Sequence, residues 1–339
     1  MAAPITYQEL QQKLLDIKVP DSELREYLEA DPDKSGAFNL VLRPKPGMVA
    51  MTFEEVEAEN AMSIGNGLAR VRRQIAFKVD LSHGNNRPVL VAEGDSWFQF
   101  PILIDDVIDQ LWPDYLVWCV SAAGDTAQNM VFGQAGDGMC EYMDALREQK
   151  DRVKAFLFSG AGNDIIGADS NGVPVLSGIL KQHIPGGTPA EHIDFAKFSE
   201  KLAFLKGAYE KMVMRIHADP AFEKLPIVIH GYDYVIPGRP GDPDDSRNPP
   251  YAKKDEWLGG PLVAKGIIDR ELQRGILRLL IDGLYDLLYQ IAASHPHVHV
   301  VDVRKTLLTV KDWNDEIHGT SAGFKLVSKK FKAVIDPLV

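Results

Sequence analysis

Cysteine is scarce in this chain. Cys119 and Cys140 are the only two in 339 residues. Two thiols cannot build the multi-bridge framework of a small secreted domain, and a chain of this length can bury an ample core without one. The expectation is a pair of free, buried thiols. Positive charge is also in deficit, with 37 Lys and Arg against 48 Asp and Glu and a formal net charge of −11. A polyanion would meet net repulsion, so nucleic acid is not an expected partner. No apolar run reaches the ~18 residues that a membrane-spanning helix needs. The opening residues, MAAPITYQEL, carry neither the basic stretch nor the apolar stretch of a secretory signal. Together these absences lead to the expectation of a cytoplasmic protein with no integral membrane segment. Internal repeats and low-complexity tracts are lacking too, and the oligomeric state is left open.

What is present is a globular composition, 45% hydrophobic and 25% charged. The first 85 or so residues read as a mostly helical extension, with helical patterns at Tyr7–Ile17, Asp21–Ala30 and Thr52 to about Phe77. Thr52 and Glu55 have the spacing of a capping box at the start of the third. The run DPDKSG, with Asp31, Asp33, Ser35 and Gly36, imitates the first half of a calcium loop. Leu42 stands where such a loop needs a bidentate Glu, so the run reads as an Asp- and Gly-rich turn.

From residue 86 to the end the pattern changes. Short apolar, β-branched runs at Pro88–Ala92, Tyr115–Val120, Val153–Phe158, Pro226–His230 and Val298–Val303 alternate with helical stretches. Those stretches lie at Ile104–Leu111, Met139–Gln149, Phe195–Ala218, Ile267–Ser294 and Ala322–Ile335. Near-continuous apolar strands alternating with helices indicate an α/β fold whose parallel sheet is covered on both faces. One stretch breaks the alternation, a Pro- and Gly-rich insertion at about 232–262 containing Tyr234, Tyr251 and Trp257. Its length suggests a lid or an irregular insertion.

In a parallel α/β sheet, ligands bind at the carboxyl ends of the strands. The turns after the apolar runs carry the reactive groups: Glu93-Gly94-Asp95-Ser96-Trp97, Ser121 to Asp125 around Gly124, and Ser159 to Asp164. Beyond the last strand comes Asp315-Glu316-Ile317-His318. Ser96 would need a base, and His318 is the natural candidate because an unperturbed histidine has its pKa near neutrality. Asp315, three residues away, can share a face with His318 and hold its second nitrogen. Backbone amides of Ser96 and Gly124 and the side-chain amide of Asn163 are candidate oxyanion donors.

GDSW at 94–97, the isolated Gly124, AGND at 161–164 and DEIH at 315–318 together resemble, in order and position, the four blocks of the SGNH hydrolases, the GDSL esterase and lipase family. The resemblance covers roughly residues 88–325. It implies a three-layer α/β/α sandwich with a five-stranded parallel sheet, similar to flavodoxin, and hydrolysis of esters or acyl groups without a metal or cofactor. It further implies Ser96 as nucleophile, His318 as base, Asp315 as its orienting acid, Ser96, Gly124 and Asn163 as oxyanion donors, and Asp95 and Asp164 as loop-holding residues. Two positions depart from the pattern. Trp97 replaces the Leu of the family name, and Ala161 stands where the motif has Gly, a methyl group at a tight turn.

Other residues invite blander readings. For Ser96 alone, a helix-capping hydroxyl is the structural alternative. His230, after the fourth apolar run, could line the pocket or be structural. His295, His297 and His299 alternate on one strand face without acidic or cysteine partners and are read as solvated or packing residues. Arg70, Arg72 and Arg73 are read as a solvated helix face. Trp97, Phe98 and Phe100 suit an acyl pocket or the core equally. Within ester chemistry, a long-chain lipid substrate would need an apolar tunnel and a sugar acetyl ester an open polar cleft. The acidic chain mildly disfavours anionic membranes, which leaves a marginal preference for a small acyl ester or an acylated carbohydrate. The rival classes are a non-catalytic binding or scaffold protein on the same fold and an acyltransferase using the same residues.

Overall fold

The computed structural model describes residues 3–35, 40–52, 66–133, 140–168, 173–238, 245, 247 and 257–339. The N-terminal part holds β1 (Ile5–Thr6), α1 (Tyr7–Leu15), α2 (Asp21–Leu24), β2 (Leu28–Ala30), β3 (Leu42–Pro44), β4 (Val49–Ala50) and α3 (Asn66–Ser82). There follow β5 (Val89–Gly94), α4 (Val107–Leu111), β6 (Leu116–Cys119), α5 (Ala127–Phe132), α6 (Glu141–Glu148), β7 (Val153–Ser159), α7 (Gly162–Ile166), α8 (Val175–Ile179) and α9 (Phe195–His217). The chain ends with β8 (Ile227–His230), α10 (Gly259–Ala264), α11 (Arg270–Ser294), β9 (Val298–Val301) and α12 (Ser321–Ile335).

The five apolar runs are the five strands of one parallel sheet, in the order β6-β5-β7-β8-β9. Counted from the first of them this is 2-1-3-4-5, the flavodoxin-like order, with the topological switch between β5 and β7. The central strands β5 and β8 are buried at every position, as expected of a sheet covered on both sides. On one side α12 packs against α4; α3 lies along the edge strand β6, where Phe77 meets Trp118 edge to face with centroids 5.2 Å apart. On the other, Tyr142 of α6 and Tyr209 of α9 pack on Phe156 and Phe158 of β7, two residues apart and so on one face. Helix α9 also packs on α5 and α11. The molecule is a three-layer α/β/α sandwich.

The long helices start at capping side chains, and α11 begins at Arg270, three residues after the Ile267 start expected from the sequence, because Asp269 caps it. Asp194 accepts from the amides of Ala196 and Lys197 at the head of α9, Asp269 from Leu272 at the head of α11, and Thr320 from Gly323 at the head of α12. Both cysteines are buried and free.

The N-terminal part departs from expectation in its second helix and in an extra small sheet. The helical pattern over Asp21–Ala30 stops at Leu24, and Leu28–Ala30 instead pairs antiparallel with Leu42–Pro44. Cross-strand burial and the Glu29–Arg43 ion pair at 2.7 Å override the helical preference of Glu and Ala. β1 and β4 form a second small sheet that the sequence did not announce. Asp31 closes the DPDKSG turn by accepting from the amides of Asp33 and Lys34, an Asx turn. Gly36 and the expected cap partner Glu55 lie outside the described residues.

The largest difference concerns Arg70, Arg72 and Arg73, which are not a solvated face. Arg72 is buried and donates to the carbonyls of Leu14 (2.7 Å), in the last turn of α1, and of Asp16 (3.1 Å) and Val19 (2.6 Å) in the turn that follows. Arg73 donates to Phe98 O (2.8 Å) and Gln99 Oε1 (2.7 Å) and pairs with Asp106 and Asp109. Arg70 reaches the carbonyls of Val120 and Ser121 past the end of β6. A guanidinium with five donors is the side chain best able to gather several carbonyls. These three therefore fasten α3 to α1 and to the two loops at the site end of the sheet.

Candidate active site

The loops after β5, β6, β7 and β9 meet at the carboxyl edge of the sheet. In the first, Asp95 Oδ1 accepts from the amide of Trp97 (3.0 Å) and the hydroxyl of Ser159 (2.7 Å), and Asp95 Oδ2 accepts from the hydroxyl of Tyr232. Tyr232 in turn accepts from the amide of Gly162 (2.9 Å). One buried carboxylate thus links the loops after β5, β7 and β8, the loop-holding place expected of it. Burial pushes its pKa up, against the lowering effect of these donors. Asp164 likewise receives the amides of Ala127 and Gln128 at the start of α5, and burial pushes its carboxyl up to about 6.

Ser96 does not cap a helix. Its Oγ lies 2.7 Å from His318 Nε2, a contact between residues 222 positions apart. His318 Nδ1 lies 2.7 Å from Asp315 Oδ2. An ionised carboxylate can only accept, so Nδ1 carries the proton and Nε2 is left to accept from the serine hydroxyl. The second oxygen of Asp315 accepts from the amides of Ile317 (2.9 Å) and His318 (2.7 Å), which folds the 315–318 turn and puts both side chains on one side. Burial alone would raise the Asp315 pKa. The facing imidazole and these hydrogen bonds outweigh it and hold the carboxyl below its usual range. All three residues are buried, in surroundings where such bonds are strong.

Asn163 lies in the first turn of α7, and its amide donates to the carbonyl of Asp125 (2.6 Å), tying α7 to the Gly124 turn. The amide has a second N–H to direct elsewhere. Gly124 adopts φ +85°, a conformation that suits glycine. Ala161 also has positive φ, +97°, at the position where the motif has Gly. The methyl group is tolerated, buried in the core, at a strain cost of about 1–2 kcal/mol.

Ser96 and Asn163 line one cavity, with Trp97, Gly162 and Ile317 beside them and apolar side chains of α9 and α11 behind. Gly124 borders the site through the Asn163–Asp125 bond rather than the cavity wall. Among the aromatics, Trp97 lines the cavity and donates from Nε1 to Ile317 O (2.9 Å). Phe98 is core, stacked on His230 with centroids 5.3 Å apart. Phe100 packs edge-on against the His318 ring at 4.8 Å. His230 is structural: it is wholly buried with Nδ1 against Gly231 O, lies away from the cavity wall, and burial pushes its pKa down to about 4. His295, His297 and His299 sit at the amino end of β9, opposite the site.

Three contributors were given no role by the sequence. Glu316, between Asp315 and His318, accepts from the amides of Gly238 (2.7 Å), Leu258 (2.9 Å) and Gly259 (2.9 Å), and so clasps both ends of the 232–262 insertion. Trp257 of that insertion meets the His318 ring edge to face at 5.7 Å. Arg247 donates to the carbonyl of Asp315 (3.1 Å). Tyr251 and much of the 232–262 segment, read as a lid or an irregular insertion, lie outside the described residues.

Close packing makes the first loop intolerant. A Cβ on Gly94 would sit 2.6 Å from Ser159 Cβ and 2.8 Å from Ser159 O on the adjacent strand. Gly94→Ala is therefore expected to lower stability by about 3 kcal/mol and to displace the Ser96 turn. Thermal melting would check it, and an unchanged Tm would show that β5 and β7 can part freely.

No protein-family model matches the chain, and no curated protein sequence does. Solved structures similar to it include phospholipase A1 from Streptomyces albidoflavus NA297, at 15% identity and TM-score 0.43, covering 75% of this chain and all of that one. Another is the inhibitor-bound aryl esterase of M. smegmatis, at 10% identity and TM-score 0.41, covering 74% and 100%. A third is a carbohydrate acetylesterase family member from Sinorhizobium meliloti, at 13% identity and TM-score 0.40, covering 74% and 98%. In its own sheet order, and in the carboxyl-edge position of its four sequence blocks, the chain resembles the SGNH hydrolases.

Proposed function

We propose that this protein is a serine-dependent hydrolase of carboxylic esters. The observation that carries the reading is the continuous hydrogen-bonded series from Ser96 Oγ through His318 to Asp315, buried at the head of a cavity. Ser96 Oγ attacks the ester carbonyl carbon while its proton passes to His318 Nε2. The carbonyl oxygen becomes an oxyanion, met by the backbone amides of Ser96 and Gly124 and by the Asn163 amide. Collapse breaks the bond to the leaving alkoxide, which takes the proton from Nε2 and departs as an alcohol. A water molecule then gives its proton to His318 and attacks the acyl-enzyme, releasing a carboxylic acid and restoring Ser96. Asp315, kept ionised, holds the tautomer and stabilises the imidazolium between these steps. Asn163 spends one N–H on the Asp125 carbonyl, which fixes the amide plane and leaves the other N–H for the oxyanion.

An activated serine distinguishes this enzyme from a binding protein on the same fold. A fluorophosphonate probe is expected to add one label per chain, located at Ser96 by peptide mass mapping and absent from Ser96→Ala. A protein that hydrolyses esters with Ser96 unlabelled would sink the assignment.

A further inference from the structure

Among the described residues that line it, the cavity behind Ser96 is polar only at its head, where Asp95, Ser96, Asn163 and Tyr232 lie. Away from that end its walls are two facing helical stripes, Phe198, Leu202 and Leu205 of α9 and Leu277, Leu280 and Leu284 of α11. Each stripe recurs at three- and four-residue spacing, so each presents one continuous face. Seven residues separate the ends of each stripe, a length of roughly 10 Å along the helix axis. Helix packing normally closes such a seam with interdigitating side chains, yet here an apolar space continuous with the nucleophile is left between the two stripes.

We propose that this seam is an acyl-chain site, and that the acyl half of the substrate is an unbranched, medium-length alkyl chain lying between α9 and α11. The proposal rests on the ester-hydrolase reading and narrows it to a substrate class. An extended chain advances about 1.2 Å per bond, so a wall of roughly 10 Å matches an acyl group of about eight carbons. Among the described residues the seam has no polar side chain to receive the hydroxyl groups of a sugar, and a bare acetyl group would leave most of it empty. With the nucleophile at its mouth, the carbonyl carbon is placed at Ser96 and the chain points inward, while the alcohol half stays outside.

The test compares kcat/KM on p-nitrophenyl esters from acetyl to palmitoyl, together with calorimetric titration of sodium octanoate and sodium acetate into Ser96→Ala. Expected are a rise of roughly fourfold per methylene up to about eight carbons, a fall beyond, and binding of octanoate but not acetate. Leu280→Trp fills the seam and is expected to lower the octanoyl-to-acetyl ratio of kcat/KM at least tenfold. Because that variant changes a core residue, the octanoate titration of Ser96→Ala stands as an independent readout. An acetyl optimum with no octanoate binding overturns the proposal. A protein that cleaves no ester but still binds octanoate keeps the acyl site and defeats the hydrolase reading instead, so the two failures are separable.

Discussion

Ser96→Ala is expected to lower kcat by about 10⁶-fold on every ester the protein cleaves, leaving only the residual rate that binding and the oxyanion donors sustain. The size of the loss follows from geometry. With Oγ removed, His318 Nε2 has no hydroxyl at 2.7 Å to deprotonate, and no covalent intermediate can form. His318→Ala should cost about as much, and the double variant no more than either, because the groups act as one unit. Asp315→Asn should cost about 10⁴-fold, since an amide facing Nδ1 favours the wrong tautomer. Steady-state kinetics on a chromogenic ester checks the series, and additive losses would refute a single relay. Asp315→Asn also has a signature in stability. Because the folded-state pKa of Asp315 lies below its ordinary value, its ionisation favours the fold above the usual carboxylate range. That contribution is lost only as pH falls through the lowered value. The Asn variant should therefore show a smaller acid-induced loss of stability than wild type in that window.

Glu316→Ala carries the second-largest expected effect. The carboxylate is buried and receives three backbone amides, from Gly238, Leu258 and Gly259. Each donor left without a partner costs about 1–3 kcal/mol, so a total near 4 kcal/mol and a Tm lower by roughly 10 °C are expected. Activity should suffer beyond stability. Glu316 is flanked by Asp315 and Ile317, whose backbone positions His318, and the Leu258 amide it holds is next to Trp257 on the His318 ring. A displacement of about 1 Å there is enough for a 10²-fold fall in kcat. Glu316→Gln keeps the shape but turns one acceptor into a donor facing amide donors, and should recover only part of the loss. If Glu316→Ala melts within about 2 °C of wild type and turns over normally, the clasp is dispensable.

Much of this architecture was legible locally. The strands are short, contiguous and apolar, so each declares itself within its own residues, and all five formed where the pattern placed them. Helices α9, α11 and α12 were bounded by side chains that cap their first turns. The site blocks could be read because chemistry needs particular residue types directly after particular strands, and the Asp315–His318 spacing is a property of one turn. Local reading failed where partners are remote. The Arg70–Arg72–Arg73 cluster looks solvated until one knows which carbonyls end nearby, and Leu28–Ala30 looks helical until Leu42–Pro44 arrives beside it.

The sequence by itself therefore determined the fold class, the order in which reactive groups line the sheet edge, and the identities of Ser96, Asp315, His318 and Asn163 as candidates. Only the tertiary structure decided that Ser96 and His318, 222 positions apart, stand at 2.7 Å, that Glu316 and Tyr232 clasp the surrounding loops, and that the seam between α9 and α11 is left open and apolar. The reason is physical. Periodicity and capping are written in neighbouring residues, whereas a hydrogen bond across the sheet edge or an unfilled space between two helices depends on side chains whose distance apart is set by the packing of the whole chain.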